Sequence, residues 1–318
     1  LQILDFYKEV YEYLLAVPVT QGFKSENEKF AGALRTSTIE TLVTTNGKAI
    51  QCATSHNLGQ NFSKMFDIKY LDKKQQFQYC WQESWGLTTR SIGVMIMVHG
   101  DDYGLVLPPR IAPIQVVLVP IVSSSDKTGE VPKILKDITK TLSDAGIRVK
   151  FDDDEMHNPG WKYNFWELKG VPLRIEFGKK DLEKGVVTIV PRDTREKLTV
   201  EFKDVVEACK TNLDNLHDRL LEKARGKYDE HRKEARDFST FHNFLNQKNA
   251  ILTPWCTNPK CEDQVKQKVK DLSDSDEESA GTCKTLCIPL KQDPLKDDDK
   301  CFNCGEKALK WTLWGRSY

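Results

Sequence analysis

Four cysteines late in the chain carry the most specific chemistry that its residue types offer. Cys256 and Cys261 form one close pair; Cys301 and Cys304, in CFNCGE, form a second with knuckle-like spacing and Gly305 directly after it. Four thiolates suit a tetrahedral Zn²⁺, and the ion would stabilise a tail too small to rely on its own core. Unligated intracellular cysteines fit the same spacing, because the first pair is loose and a long segment separates the two; Cys283 and Cys287 are possible substitute ligands. Arg90 is the second position of interest. In SWGLTTRSIG it stands between Trp85 and an apolar run, Val94 to Val98, that reads as a buried strand. Arginine is almost never buried unpaired, so either an acidic side chain or an anionic ligand must answer it.

Two further groups could bind rather than react. IQCATSHNLGQNF gathers Gln51, Thr54, Ser55, His56, Asn57, Gln60 and Asn61 just after a strand, a row able to hydrogen-bond a small polar substrate. It equally fits a helix start capped by Thr54 or Ser55. Lys162, Lys169 and Arg174, in and beside GWKYNFWELKG, could face the phosphates and base edges of a nucleic acid or form a solvated basic rim. A G-x-S-x-G elbow, a P-loop and a G-x-G-x-x-G fingerprint are all missing from the sequence, so any nucleotide must be held some other way. Cys52, Cys80 and Cys209 read as ordinary thiols, and His99, His157, His217, His231 and His242 lack metal spacing.

These residues need elements to hold them. The length of 318 residues predicts two or three domains, with ample chain for hydrophobic cores. Basic and acidic residues number 47 each and stay balanced through each third of the chain, so composition gives no vote for nucleic acid. Nine cysteines in a chain this long fit a reducing compartment better than a disulfide scaffold. The start at Leu1, without methionine, fits a piece of something longer, and the first twenty residues predict an amphipathic docking helix, not a leader or membrane span. Thr38 to Thr44 and Lys48 to Ala53, joined by Asn46-Gly47, predict a β-hairpin; Arg90 to Met97 and Leu105 to Leu107 predict further strands of an antiparallel sheet. From Ile114, apolar runs alternate with helical stretches, which predicts an α/β domain with a mixed sheet closed by a helix over Glu201 to Arg225. Charged helical stretches over Lys227 to Asn246 precede the cysteine-bearing tail. Within that tail, DLSDSDEES from Asp271 to Ser279 predicts a solvated loop whose serines could accept phosphate.

The combination of EKFAG (Glu28 to Gly32), TSTIE (Thr36 to Glu40), AIQCATSHNLGQNFSKMF (Ala49 to Phe66), SWGLTTRSIG, HGDDYGLVLPPR (His99 to Arg110), PGWKYNFWELKGVPLRIEFG (Pro159 to Gly178) and the terminal GRSY resembles the prolyl-tRNA synthetase family in its eukaryotic and archaeal form. The resemblance implies a C-terminal portion lacking the family's first two motifs, with an α+β and α/β fold. It divides the chain into the C-terminal half of an antiparallel class II catalytic sheet (1–113), an α/β anticodon-binding domain (114–225) and a zinc-binding-type α/β domain (226–318). It implies a proline--tRNA ligase that activates proline with ATP and Mg²⁺ and transfers it to tRNA(Pro), cytoplasmic and homodimeric when full length.

On this resemblance Arg90, in the third class II motif, is catalytic and meets the γ-phosphate of ATP. Gln51, Thr54 and Thr88 line the adenosine side, and Phe30, His56, Trp85 and Gly86 form the proline pocket. Lys162, Lys169 and Arg174 meet tRNA; Cys256, Cys261, Cys301 and Cys304 hold a structural Zn²⁺; and Tyr318 reaches toward the active site. Ala33 replaces the family's second glycine, with the bulkier Leu34 and Arg35 following, and the last cysteine pair is spaced by two residues where relatives often have one. A truncated, non-catalytic tRNA-binding or scaffold protein is the competing reading.

Overall fold

Asn46 and Gly47 turn the chain between two long strands because Gly47, at φ +69°, takes a left-handed conformation that side chains resist. The structure, a computed structural model, describes residues 1–122, 129–272 and 283–317. In chain order the strands are β1 (Thr20–Phe23), β2 (Arg35–Val43), β3 (Lys48–Gly59), β4 (Lys69–Leu71), β5 (Phe77–Tyr79), β6 (Gln82–Leu87), β7 (Val116–Ile121), β8 (Val149–Phe151), β9 (Leu173–Gly178), β10 (Val186–Pro191), β11 (Leu198–Glu201), β12 (Arg232–Glu234), β13 (Ala250–Trp255), β14 (Cys283–Pro289) and β15 (Lys310–Ser317). The helices are α1 (Gln2–Lys8, continued by a π-turn to Leu14), α2 (Asn61–Met65), α3 (Arg90–His99), α4 (Glu130–Asp144), α5 (Pro159–Leu168), α6 (Lys179–Lys184), α7 (Val205–Glu230), α8 (Phe238–Asn246) and α9 (Pro259–Leu272).

The chain divides into two compact units. The first takes Leu1–Tyr13, Val17–Val94 and the chain from Arg225 onward, around an eight-stranded sheet in the order β12-β13-β15-β14-β1-β2-β3-β6. Residues from the first and last of the three expected regions therefore share one sheet. They meet at β1 against β14, where Gly22 pairs with Pro289 and a Cβ on Gly22 would fall 2.6 Å from the Ile288 carbonyl oxygen, and again where Arg316 and Ser317 of β15 run parallel to Lys48 and Ala49 of β3. Trp255 and Trp314 meet edge to face at 5.5 Å, packed with Phe241 and Phe302 beneath α8 and α9.

The second unit takes Leu14–Ala16 and Met95–Ala224 and holds a five-stranded mixed sheet, β11-β10-β9-β7-β8, with β7 parallel to both β8 and β9. Strand β7 is apolar throughout because both of its faces are covered. Val116 and Leu118 pack with Leu135 and Leu142 of α4 and Leu216 of α7, while Val117 and Val119 pack with Trp166 of α5. This is the mixed α/β arrangement expected from Ile114 onward.

Several local expectations are corrected. Arg90 to Met97 is a helix: the Thr88 hydroxyl and carbonyl accept the amides of Arg90 and Ser91, which starts a helical turn, and a short apolar run does not by itself choose between helix and strand. Leu105 to Leu107 forms no strand; its amides pair with the carbonyls of Leu168 and Gly170 behind α5. Thr54 and Ser55 do not cap a helix, because β3 continues to Gly59. The stretch from Lys227 to Asn246 is interrupted by β12. Residues 273–279 of the acidic stretch and Tyr318 lie outside the described residues.

A pH response is built into the second unit. Burial drives the pKa of His99 from the ordinary 6.5 to about 4, against a hydrogen bond from its Nε2 to the Leu15 carbonyl (2.8 Å), with His217 and Lys223 adding to the shift. The unfolded chain therefore takes up this proton more readily than the folded one. The stabilisation from neutral His99 is fully present above pH 6.5 and is lost as pH falls towards 4, by up to about tenfold in the folding equilibrium per pH unit. Denaturant unfolding between pH 7 and 4 is expected to show this slope, and His99→Gln to flatten it; an identical slope in the variant would refute the assignment.

Candidate functional site

Strands β2, β3 and β6 gather a polar row on one face of the first sheet. Partners across an antiparallel ladder share a face. Glu40 pairs with Gln51, Thr38 with Thr54 and Thr36 with His56, and on the other side Gly86 pairs with Thr54 and Ser84 with His56. Gln51 and Thr54 would lie on opposite faces of a regular strand. The register shift beside Ile39 and Glu40 inserts one residue into β3 and brings Gln51 back to the face of Thr54 and His56.

His56 is held at both ring nitrogens, by Thr36 Oγ1 at Nδ1 (2.9 Å) and Thr54 Oγ1 at Nε2 (3.1 Å). The Thr36 hydroxyl also accepts the Phe30 amide (3.0 Å), so a single side chain ties residue 30 to the imidazole. Burial lowers the His56 pKa, which keeps the imidazole neutral at pH 7. The Phe30 ring lies 4.9 Å from the imidazole, and a Cβ on Gly86 would meet nothing within 4 Å, leaving an open polar floor beside an aromatic wall. Trp85 is not part of it. As the register partner of Ser55 it belongs to the opposite face of β6, 59% exposed, because side chains alternate along a strand.

Arg90 begins α3 at the edge of this face, with Thr88 in the turn before it. Its Nη1 donates to the Gln51 carbonyl (3.1 Å), and the rest of the exposed guanidinium faces a cavity of about 260 Å³ lined also by Lys24, Glu40, Gln51 and Lys284. Lys24 is already matched: its ammonium meets the buried Glu40 carboxylate at 2.7 Å, which also accepts the Thr38 hydroxyl. The polar face thus offers a neutral imidazole, amide and hydroxyl groups, and a guanidinium suited to phosphate oxygens. Glu40 and Lys24 carried no chemical signal in the sequence, since only the fold places them beside Arg90.

The four cysteines converge. Their sulfurs all lie within 4.8 Å of one another, with Cys261 to Cys301 at 3.8 Å and Cys256 to Cys304 at 3.6 Å. A tetrahedral ion with Zn–S bonds near 2.3 Å requires sulfur separations of about 3.8 Å, so the geometry fits zinc. Cys256 follows β13, Cys261 sits in the first turn of α9, and Cys301 and Cys304 span a turn released by Gly305 at φ +75°. The hydrogen bond between Cys261 and Cys301 lowers the Cys301 pKa and raises that of Cys261, and burial raises that of Cys256, because close thiols cannot all ionise without a cation among them. Asn303 Nδ2 also donates to Cys261 Sγ (3.3 Å). Cys283 and Cys287 stand outside the cluster, buried in β14, where burial pushes both thiols up.

In the second unit the basic residues separate. Lys162 is buried and faces inward: it meets the Asp152 carboxylate at 3.1 Å, which also accepts the Trp166 indole N–H (2.6 Å). Arg174 is held by Glu176 (2.9 Å) and lies over Tyr163, while Lys169 is exposed beside Phe165. Sequence reasoning missed the column formed by His157, Trp161 and Phe165, whose rings stack at 3.6 and 5.0 Å; the four-residue spacing was its signal. Lys162→Met is expected to lower the stability of this unit by about 2 kcal/mol, because it strips a buried carboxylate of its cation. Thermal unfolding measures this, and an unchanged midpoint would contradict the pairing.

Two family models match stretches of the chain. The model described as "Prolyl-tRNA synthetase, C-terminal" matches residues 238–318, and that described as "Anticodon binding domain" matches residues 115–212. The whole chain is 46% identical to the bifunctional glutamate/proline--tRNA ligase of Drosophila melanogaster, 44% to the cytoplasmic proline--tRNA ligase of Arabidopsis thaliana and 42% to the proline--tRNA ligase of Encephalitozoon cuniculi. It spans 19%, 59% and 64% of their respective lengths.

Proposed function

Because the chain belongs to the prolyl-tRNA synthetase family, we propose that it forms part of a proline--tRNA ligase, in which the polar face of β2, β3 and β6 belongs to a class II catalytic sheet. The reaction joins the proline carboxylate to the α-phosphorus of ATP with loss of pyrophosphate; a hydroxyl of the terminal ribose of tRNA(Pro) then attacks the prolyl carbonyl, forming the ester and releasing AMP and a proton. Phe30 supplies an aromatic wall for a compact apolar ring, and neutral His56 with Gly86 shapes the floor beneath it. Gln51, Thr54 and Thr88 serve the adenosine side, and Arg90 the triphosphate. Phosphoryl chemistry of this kind needs positioned cations more than a nucleophile from the protein. Mg²⁺ would add charge neutralisation between phosphates.

The single observation that carries this reading is the bulge that returns Gln51 to the face of Thr54 and His56, next to Arg90. The mixed sheet of the second unit would read the anticodon, with exposed Lys169 as the basic contact; Arg174 contributes there only if it leaves Glu176, and Lys162 is committed to Asp152. Cys256, Cys261, Cys301 and Cys304 would hold a structural zinc. The full-length protein is then a cytoplasmic homodimer. Proline-dependent ATP–pyrophosphate exchange by that protein is the test: exchange with proline and not with alanine is expected, and equal rates with both, or none with either, would refute the reading.

A further inference from the structure

Residues 25–30 carry Phe30 to the His56 ring, and they are held from behind by α9. Three links join them. The Lys266 ammonium bridges Glu28 (2.8 Å) and the fully buried Glu262 (2.9 Å). Asn27 Nδ2 donates to the Pro259 carbonyl (3.1 Å) and to the Asp263 carboxylate (3.0 Å). The Ser25 and Thr285 hydroxyls lie 2.9 Å apart, and Thr285 donates onward to Glu262 (3.0 Å), so Ser25 is the donor of the first bond. Between these anchors the amides of Glu28 and Lys29 close a turn on the Ser25 carbonyl. At its other end the segment is pinned where the Phe30 amide meets Thr36 Oγ1, the hydroxyl that orients His56.

We propose that α9 is a positioning element for the amino-acid pocket, with Asn27, Glu262 and Lys266 as positioning residues that hold Phe30 against His56. The inference rests on reading Phe30 and His56 as the proline side of the site. Its physical basis is mutual satisfaction. Glu262 takes both Thr285 and Lys266 through Oε1, while Oε2 has no hydrogen-bond partner among the described residues, so the buried carboxylate depends on these two groups. Lys266 in turn spends its second contact on Glu28, which commits the segment to one conformation. Cys261 lies in the first turn of the same helix, so the four-cysteine cluster and the pocket segment are tied to one element.

Lys266→Met and Asn27→Ala test this by amide hydrogen exchange over residues 25–33 of the chain, and by KM for proline and for ATP in the full-length protein. Asn27 is exposed, so its variant keeps the test alive if Lys266→Met folds poorly. Exchange over 25–33 is expected to quicken about tenfold or more. KM for proline should rise about tenfold with KM for ATP within about twofold, and Lys266→Arg should restore both. Unchanged exchange in both variants overturns the proposal. Faster exchange with an unchanged KM for proline overturns the link between helix and pocket. Absence of proline-dependent turnover in the unmutated full-length protein defeats the ligase reading instead, and hydrogen exchange then still decides whether α9 holds the segment.

Discussion

Arg90→Ala in the full-length protein is expected to lower kcat/KM for proline-dependent pyrophosphate exchange by roughly 10²- to 10³-fold, the cost of deleting one preorganised charged donor to the pyrophosphate leaving group. The effect should fall on catalysis and not on folding. Arg90 is exposed, and the hydrogen bond of its side chain goes to the Gln51 carbonyl, on a strand that is fixed independently by pairing with β2 and β6. Arg90→Lys should recover little of the loss, because an ammonium keeps the charge without the planar fork that engages two oxygens at once. Steady-state exchange at varied ATP separates these outcomes. A full rate in Arg90→Ala would remove this residue from the triphosphate and leave Lys284 as the cation to test in the same cavity.

Removing the zinc proposed for the four-cysteine cluster is expected to destabilise the first unit by more than about 4 kcal/mol, the range in which loss of a structural metal falls. Cys261 and Cys301 are buried among Phe241, Phe302, Trp255 and Trp314, so without an ion the thiols protonate and the bonds tying the end of β13, α9 and the Cys301 turn together are lost. Cys301→Ser should abolish zinc retained through purification, measured by atomic absorption, and should lower the unfolding midpoint monitored by tryptophan fluorescence. Cys283→Ser serves as the control: its thiol is as deeply buried in β14 but outside the cluster, so the metal content should stay unchanged. Equal metal content in Cys301→Ser and the unmutated protein would eliminate the site.

The sequence by itself determined the local and the motif-borne parts of this protein. Asn46-Gly47 dictated a hairpin and the alternation from Ile114 a mixed α/β unit, while the two cysteine pairs offered candidate ligands whose convergence only the fold decided. These signals are short-range, because turn chemistry, hydrophobic period and chelate spacing act within a few residues. The helix over Arg90 to His99 was not legible, since a run of Val, Ile and Met suits either element until Thr88 starts the first turn. Nor was the composition of the polar face. A single extra residue in β3 decides that Gln51 joins Thr54 and His56, and strand alternation decides that Trp85 leaves them. Lys162 likewise became an inward partner of Asp152 only when α5 packed on the sheet. Tertiary structure alone joined β14 and β15 to the strands of the first 94 residues and set Lys266 against Glu28, because pairing and burial reward contacts that no sequence spacing encodes.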